Sequence, residues 1–264
     1  MDRLRPEIVA VKVFVYAWSN TAKEVQITDT LAQTTANAGL PPCFPFVHDH
    51  HTDRDGHHWF SMTAIQGCTL RQFEELVIAS NERLPIEFAF HVFLQLTDAM
   101  RTIFESEYVN DDIHKANIML DPFNLVEGFP NVVLIDFGSA KPFSEARWKK
   151  GMNTHYVWNM VEDLLKLVPC RCGNTPDAGF RRSLCPHCVH GRGYGRFYEY
   201  IRRNRGLDEM RRRFDGLARE MRKGASAEAK QKAAELVVRA SASNIVTDQE
   251  IVEALQRYIH PYGG

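Results

Sequence analysis

The sequence lacks the features of a membrane-spanning or secreted protein. It has no uninterrupted apolar run long enough to cross a bilayer. The first seven residues, Met-Asp-Arg-Leu-Arg-Pro-Glu, contain no apolar core of a signal peptide. The 33 acidic and 32 basic residues leave a net charge of −1, which argues against bulk electrostatic binding to nucleic acid or lipid. We therefore expect no membrane association and a location in the cytoplasm or nucleus.

Cysteine is also scarce, with six residues in 264, and four of the six are clustered. In a reducing compartment such thiols indicate metal ligands or buried thiols before disulfides. The cluster has the paired spacing of a tetrahedral zinc site, and its members are Cys170, Cys172, Cys185 and Cys188. We expect a structural Zn²⁺ that pins an insertion at 169–195, which is too poor in apolar residues to fold alone. Buried free thiols are the alternative.

The remaining composition, 44% hydrophobic and 25% charged, is that of a globular protein. The order of its segments predicts an α+β fold. A β-rich run over 8–14 is followed by a helix over 20–34 and by a β-hairpin over 44–65 with its turn at Asp55-Gly56. Two short strands are expected at 117–120 and 132–135 on either side of a Gly-Pro turn.

Helices are expected from Leu70 to about Ser80 and in a longer segment that opens at Pro85. Apolar residues recur in the longer segment at every third or fourth position and mark a face toward the core: Phe88, Val92, Leu96, Met100 and Ile103. Another helix is expected to begin at about Tyr156, and the C-terminal part is helical to His260.

The chemistry is concentrated in two polar motifs. Asp112-Ile113-His114-Lys115-Ala116-Asn117 is followed, nineteen residues after Asn117, by Asp136-Phe137-Gly138. Phosphoryl transfer needs one carboxylate near the attacking hydroxyl, and an amide with a second carboxylate on Mg²⁺. Asp112 suits the first role, and Asn117 and Asp136 suit the metal roles. Two unrelated polar loops are the alternative.

These motifs, in this order of elements, resemble the protein kinase family over roughly residues 8–168. The resemblance implies a bilobal fold, with a truncated N-lobe at 1–66 and a mainly helical C-lobe at 67–264. It implies ATP and Mg²⁺ as cofactors and a protein Ser/Thr hydroxyl as acceptor.

The resemblance also assigns residues to the nucleotide. Lys12, in Val9-Ala10-Val11-Lys12, matches the strand lysine that holds the α- and β-phosphates, and Glu24 matches its helix partner. Met62 matches the gatekeeper at the end of the last N-lobe strand, and the backbone groups of Thr63 and Ile65 match those that face adenine.

The catalytic loop departs from the family pattern. Asn110-Asp111 stands where most protein kinases have His-Arg, and His114, a further candidate catalytic residue, stands where many carry Lys. The absent Arg usually pairs with a phosphate on the activation segment, so control by such phosphorylation is not expected. The loop is most similar to divergent kinases of large DNA viruses. Its Asp-x-His-x-x-Asn pattern is also similar to aminoglycoside and choline kinases, which leaves a small-molecule acceptor as an alternative.

Two further departures bear on activity. Only seven residues precede Ile8, which leaves no room for the glycine-rich loop that covers the ATP phosphates. Either the true start lies upstream of Met1, or the nucleotide is held without this lid, which implies a weak enzyme or a pseudokinase scaffold. In addition, Tyr156 or Val157 stands where the family has a helix Asp that braces the catalytic loop, so another brace is needed.

Two charged regions have simpler interpretations. Residues 192–223 are rich in arginine, which is typical of a solvated helix face with i,i+4 pairs. A patch for an acidic partner or nucleic acid, next to the predicted zinc module, is the alternative. The histidines of 48–51 and 57–58 flank the expected hairpin turn, where a solvated loop is favoured over a metal site.

Overall fold

The computed structural model describes residues 9–14, 21–52, 58–146, 152–168 and 206–242. These residues form a mixed α and β structure with small antiparallel sheets. In chain order the strands are β1 Val9–Phe14, β2 Val47–Thr52, β3 His58–Thr63, β4 Cys68–Thr69, β5 Tyr108–Asn110, β6 Ile118–Val126, β7 Phe129–Leu134 and β8 Ala140–Pro142. The helices of the same ranges are α1 Thr21–Asn37, α2 Leu70–Ala79, α3 Ile86–Glu105, α4 Met152–Lys166, α5 Leu207–Lys223 and α6 Ala227–Ala242.

The first sheet has the order β1-β3-β2 and turns one lysine inward. The side chains of β1 alternate between the two faces, as they do along any strand. Val9, Val11 and Val13 are exposed, whereas Lys12 lies on the other, half-buried face. Lys12 is paired with Phe60 of β3, and that face of the sheet carries Lys12 toward α1.

Helices α2 and α3 form where the apolar spacing predicts them. Helix α2 begins with a capping box in which Thr69 accepts from the Gln72 amide and the Gln72 side chain accepts from the Thr69 amide. Pro85 is the residue before α3. The five core positions predicted for α3 are all buried, which confirms the predicted face: Phe88, Val92, Leu96, Met100 and Ile103.

The second sheet, β4-β6-β7, differs from the prediction in strand length and turn. The two predicted four-residue strands belong to one longer hairpin that turns at Glu127-Gly128, where both residues have positive φ (52° and 86°). Pro130 lies inside β7 rather than in the turn, and the register of β6 shifts between Asp121 and Leu125. A bulge of this kind interrupts the period-two pattern, so the sequence concealed the length of β6.

Gly67 allows the connection between the first and second sheets. A Cβ built at this position would lie 1.8 Å from the backbone oxygen of Leu120 on β6. Only a residue without a side chain permits this approach, which brings β4 against β6.

Helices α5 and α6 cover the second sheet and α3. Ala233, Leu236 and Val237 of α6 are fully buried. In α5, two arginines of the basic segment are internal. Arg211 pairs with Asp98 at 2.7 Å, and Arg222 pairs with Glu127 at 2.6 Å. No helix among the described ranges has the length and apolar character needed to cross a membrane.

Candidate active site

A lysine and two carboxylates that are distant in sequence meet beneath the first sheet. The Lys12 ammonium lies 2.7 Å from Glu24 Oε1 and 2.9 Å from Asp136 Oδ1. Glu24 is only 3% exposed, although it is charged and lies in the first turn of α1. Three of the residues that the sequence predicts for phosphate and metal binding are therefore brought together.

Burial and charge act in opposite directions on these groups. Burial lowers the pKa of Lys12, but hydrogen bonds and charge from Glu24 and Asp136 outweigh it and hold that pKa above its ordinary value. Burial raises the pKa of Glu24 and outweighs the opposing effect of Lys12. The ammonium is therefore held charged while it faces the loop that contains Asp136.

Asp136 has an uncommon backbone conformation. Its φ is +65°, in the left-handed region that costs a non-glycine residue free energy. Its Oδ1 accepts from the Gly138 amide at 3.2 Å as well as from Lys12. Phe137 anchors the loop, because it is buried and its ring packs edge-on against Phe44 at 5.7 Å. The Asp136 side chain stays 41% exposed and so accessible to a ligand.

The 112–117 motif forms a tight loop that ends in a 3-10 helix, Lys115–Asn117. The Asn117 Nδ2 donates to the backbone oxygen of Asp112 at 3.0 Å, and the Ile135 amide donates to the backbone oxygen of Asn117 at 2.9 Å. These bonds tie the loop to itself and to the residue before Asp136. Because the nitrogen of the Asn117 amide is engaged, its oxygen is the atom left to face a cation.

His114 is oriented toward Asp112. Its Nδ1 accepts from the Ala116 amide at 3.2 Å, and its Nε2 lies 3.3 Å from Asp112 Oδ1. In a neutral imidazole one nitrogen accepts and the other donates, so the proton belongs on Nε2, which faces the carboxylate. Both side chains are about half exposed, at 50% for His114 and 49% for Asp112.

The loop is braced by residues that the motif does not identify. Lys115 Nζ lies 2.6 Å from Glu74 of α2 and 2.5 Å from Asp163 of α4. Glu74 follows Leu70 and Phe73 on the apolar face of α2, and a carboxylate on a buried face signals a cationic partner. Glu24 carries the same signal on α1, beside Ile27 and Leu31.

Tyr156 of α4 contacts the residue before Asp112. Its hydroxyl donates to the backbone oxygen of Asp111, although the contact is long at 3.5 Å. The Asp111 carboxylate lies 3.3 Å from the ammonium of Lys141, on β8. Helix α4 begins at Met152, one turn earlier than predicted.

The segment predicted to face adenine is a strand end and a bend. Met62 and Thr63 close β3, and Ile65 follows it. The Thr63 amide donates to the Phe46 oxygen, and the Gly67 amide donates to the Ile65 oxygen, both at 2.9 Å. Among the described residues, the Thr63 oxygen and the Ile65 amide are the groups left for the predicted contact, which stays a prediction.

The predicted zinc ligands lie outside the described residues: Cys170, Cys172, Cys185 and Cys188. Within the described ranges, no three His, Cys, Asp or Glu side chains are grouped as a metal site. Two of the four hairpin histidines in those ranges have other contacts, since His48 lies 3.2 Å from Thr63 Oγ1 and His51 stacks on Trp59. The remaining thiols, Cys43 and Cys68, are free and buried.

No family model matches the sequence, and no curated protein is significantly similar to it. Function is therefore inferred from the side chains of the site and their geometry.

Proposed function

We propose that the protein is an ATP- and Mg²⁺-dependent phosphotransferase of protein-kinase-like bilobal fold, acting on a protein Ser/Thr hydroxyl in the cytoplasm or nucleus. The observation that carries the proposal is the cluster of Lys12, Glu24 and Asp136, whose members come from β1, α1 and the loop after β7. A buried carboxylate costs stability unless it is paired, and here it orients an ammonium toward a half-exposed carboxylate. We infer that this arrangement favours the binding of an anionic ligand and contributes little to the stability of the core.

The donor atoms of the site suit Mg²⁺. This ion prefers oxygen ligands and is bound in nucleotide sites by one or two carboxylates together with phosphates. The Asp136 carboxylate and the Asn117 amide oxygen are of that type, and they would hold the ion. When bound, it neutralises charge on the transferred phosphate.

The protein's own residues then divide the work. The Lys12 ammonium, held by Glu24, binds phosphate oxygens and keeps the nucleotide in position. Asp112 orients the acceptor hydroxyl and takes its proton, because it is the accessible carboxylate of the 112–117 loop. The Nε2–H of His114 fixes the orientation of the Asp112 carboxylate, since it lies 3.3 Å from Oδ1.

His114 is the residue that supports the alternative hypothesis, in which the acceptor hydroxyl belongs to a small molecule. A histidine two residues after the base places a planar ring with an N–H donor at the mouth of the site, where a lysine would place a flexible ammonium. Acceptor assays should therefore include amino sugars and amino alcohols beside basic proteins.

The test is transfer of labelled γ-phosphate from ATP with Mg²⁺ and Zn²⁺ present. Asp112→Asn removes the base at nearly constant shape, and Asp49→Asn on the exposed β2 strand is its matched control. Incorporation by the parent and the control, and its loss in Asp112→Asn, is the expected result. If the folded parent protein incorporates no label into any acceptor, the phosphotransferase proposal is refuted. The pseudokinase scaffold is then the remaining hypothesis.

A further inference from the structure

Asn110 is a buried amide that touches both candidate loops. It is the last residue of β5 and is 1% exposed. Its Oδ1 accepts from the Asp112 amide at 3.1 Å, and its Nδ2 donates to the Asp136 backbone oxygen at 3.4 Å. The partners fix which side-chain atom is which, because an amide N–H only donates and a backbone oxygen only accepts.

The loop between these contacts returns to the same residue. Asn110 is paired with Ala140 of β8, so the chain leaves Asp136, turns at Gly138 and comes back beside Asn110. The Ala140 amide donates to the Phe137 oxygen at 3.0 Å within that turn. Asn110 therefore contacts both ends of the turn. Its backbone is paired with Ala140 at the far end, and its side chain donates to the Asp136 oxygen at the near end.

The hydrogen bond from the Asn110 side chain to Asp136 matters because Asp136 has a left-handed backbone conformation. A non-glycine residue keeps such a conformation only where surrounding contacts enforce it. Lys12 and the Gly138 amide act on the Asp136 carboxylate. The bond from Asn110 acts instead on the backbone carbonyl, whose direction changes with the torsions of the chain.

We propose that Asn110 is a positioning residue: its amide sets the backbone of Asp136 and of Asp112 together, and thereby the separation of the metal-binding and proton-accepting carboxylates. This inference rests on the proposed phosphotransfer and adds a residue to that site. Asn110 touches neither nucleotide nor acceptor, so its effect passes through the two aspartates.

Asn131 provides a matched control. It is also a buried amide, 1% exposed, whose Nδ2 donates to the Pro42 oxygen at 2.7 Å and whose Oδ1 accepts from Gln95 at 2.9 Å. It makes two comparable hydrogen bonds, but none of them reaches an aspartate of the site. If the only effect of a substitution is the loss of two buried hydrogen bonds, the variants at Asn110 and at Asn131 should therefore change both readouts to the same extent.

The experiment compares Asn110→Leu and Asn110→Asp with Asn131→Leu in the full chain. The first readout is the pair of ¹³Cα and ¹³Cβ chemical shifts of Asp136, which report its φ without any ligand. The second is the affinity for ADP with Mn²⁺, measured by water-proton relaxation. Asn110→Asp keeps the acceptor for the Asp112 amide and loses the donor to Asp136, so it tests the second bond alone and serves if the leucine variant does not fold.

We expect both Asn110 variants to move the Asp136 shifts away from left-handed values. We also expect them to weaken Mn²⁺–ADP binding about 10- to 100-fold, the usual effect of losing a residue that orients a ligand. Asn131→Leu should change neither readout. Left-handed shifts retained in both Asn110 variants, or equal losses in Asn131→Leu, overturn the proposal. If the parent chain binds no metal–nucleotide, phosphotransfer fails, and the positioning of Asp136 is decided by the chemical shifts alone.

Discussion

The stability of this protein should fall in mild acid because of one buried histidine. His91, on α3, is fully buried, and its Nε2 lies 2.9 Å from the Pro130 oxygen. Its Nδ1 has no hydrogen-bond partner among the described residues, and the rings of Phe88 and Phe129 lie 6.1 and 5.1 Å away. A second proton would thus be placed on a buried ring, and burial lowers the pKa of His91 from 6.5 to about 3, although the Pro130 oxygen and the Gln95 side chain oppose this shift.

The direction and the size of the change in unfolding free energy follow from the pKa of His91 in the unfolded and in the folded protein. Between pH 6.5 and about 3 the unfolded chain binds a proton that the folded chain does not, so stability is lost as pH falls through that window. Relative to about pH 7.5, the loss of unfolding free energy is about 1 kcal/mol at about pH 5.5 and about 3 kcal/mol at about pH 4.5.

Urea unfolding at several pH values measures this effect. His91→Gln removes the titrating group and keeps a side-chain N–H that can donate to Pro130, so its stability should depend less on pH by the amounts given. His50→Gln, at an exposed position on β2, is the matched control and should retain the parent's pH dependence. Two results would refute the reasoning: an unchanged pH dependence of stability in His91→Gln, or an NMR titration in which the His91 imidazole of the folded protein takes up its proton near neutral pH.

Three other changes test the site and its supports. Asp136→Asn should abolish metal-dependent nucleotide binding measured by calorimetry, because it removes the charged ligand; unchanged affinity contradicts the assignment. Gly67→Ala should cost more than about 3 kcal/mol of unfolding free energy, since its Cβ would overlap the Leu120 oxygen, and a loss under about 1 kcal/mol contradicts the close approach. Lys115→Met should cost about 2 kcal/mol, a value reduced for its partial exposure, because Glu74 is left buried without its cation. The double variant Lys115→Met with Glu74→Gln should recover part of that loss, and no recovery would contradict the pairing.

The sequence predicted what depends on local spacing. The buried face of α3 follows from a repeat of three to four residues and was found at the expected positions. Helix α2 begins at Leu70 as predicted and ends at Ala79, one residue before the predicted end. The resemblance to protein kinases pointed to Lys12 and Glu24, and the chemistry of phosphoryl transfer pointed to Asp136. The side chains of Glu24 and Asp136 both contact the Lys12 ammonium, while the roles of the three residues stay a prediction.

What escaped prediction depends on partners that are far apart in sequence. Lys115 is unremarkable in its loop until α2 and α4 bring Glu74 and Asp163 to it. Asn110 was recognised only as a departure from a motif, since its two bonds exist only after β5 and β8 have paired. The full length of β6 was missed because its register shift breaks the alternation on which strand prediction relies.

The two buried thiols make the remaining four chemically distinguishable. Burial raises the pKa of Cys43 to about 12 and that of Cys68 to about 11, so neither forms the thiolate that alkylating reagents attack. We therefore expect the reagent to modify, in the native protein, the cysteines at 170, 172, 185 and 188 rather than the two buried thiols. Counting modified thiols by mass spectrometry, before and after a chelator, becomes a direct assay for zinc: a rise from none to four identifies a tetrathiolate site, and four modified thiols at the outset exclude it.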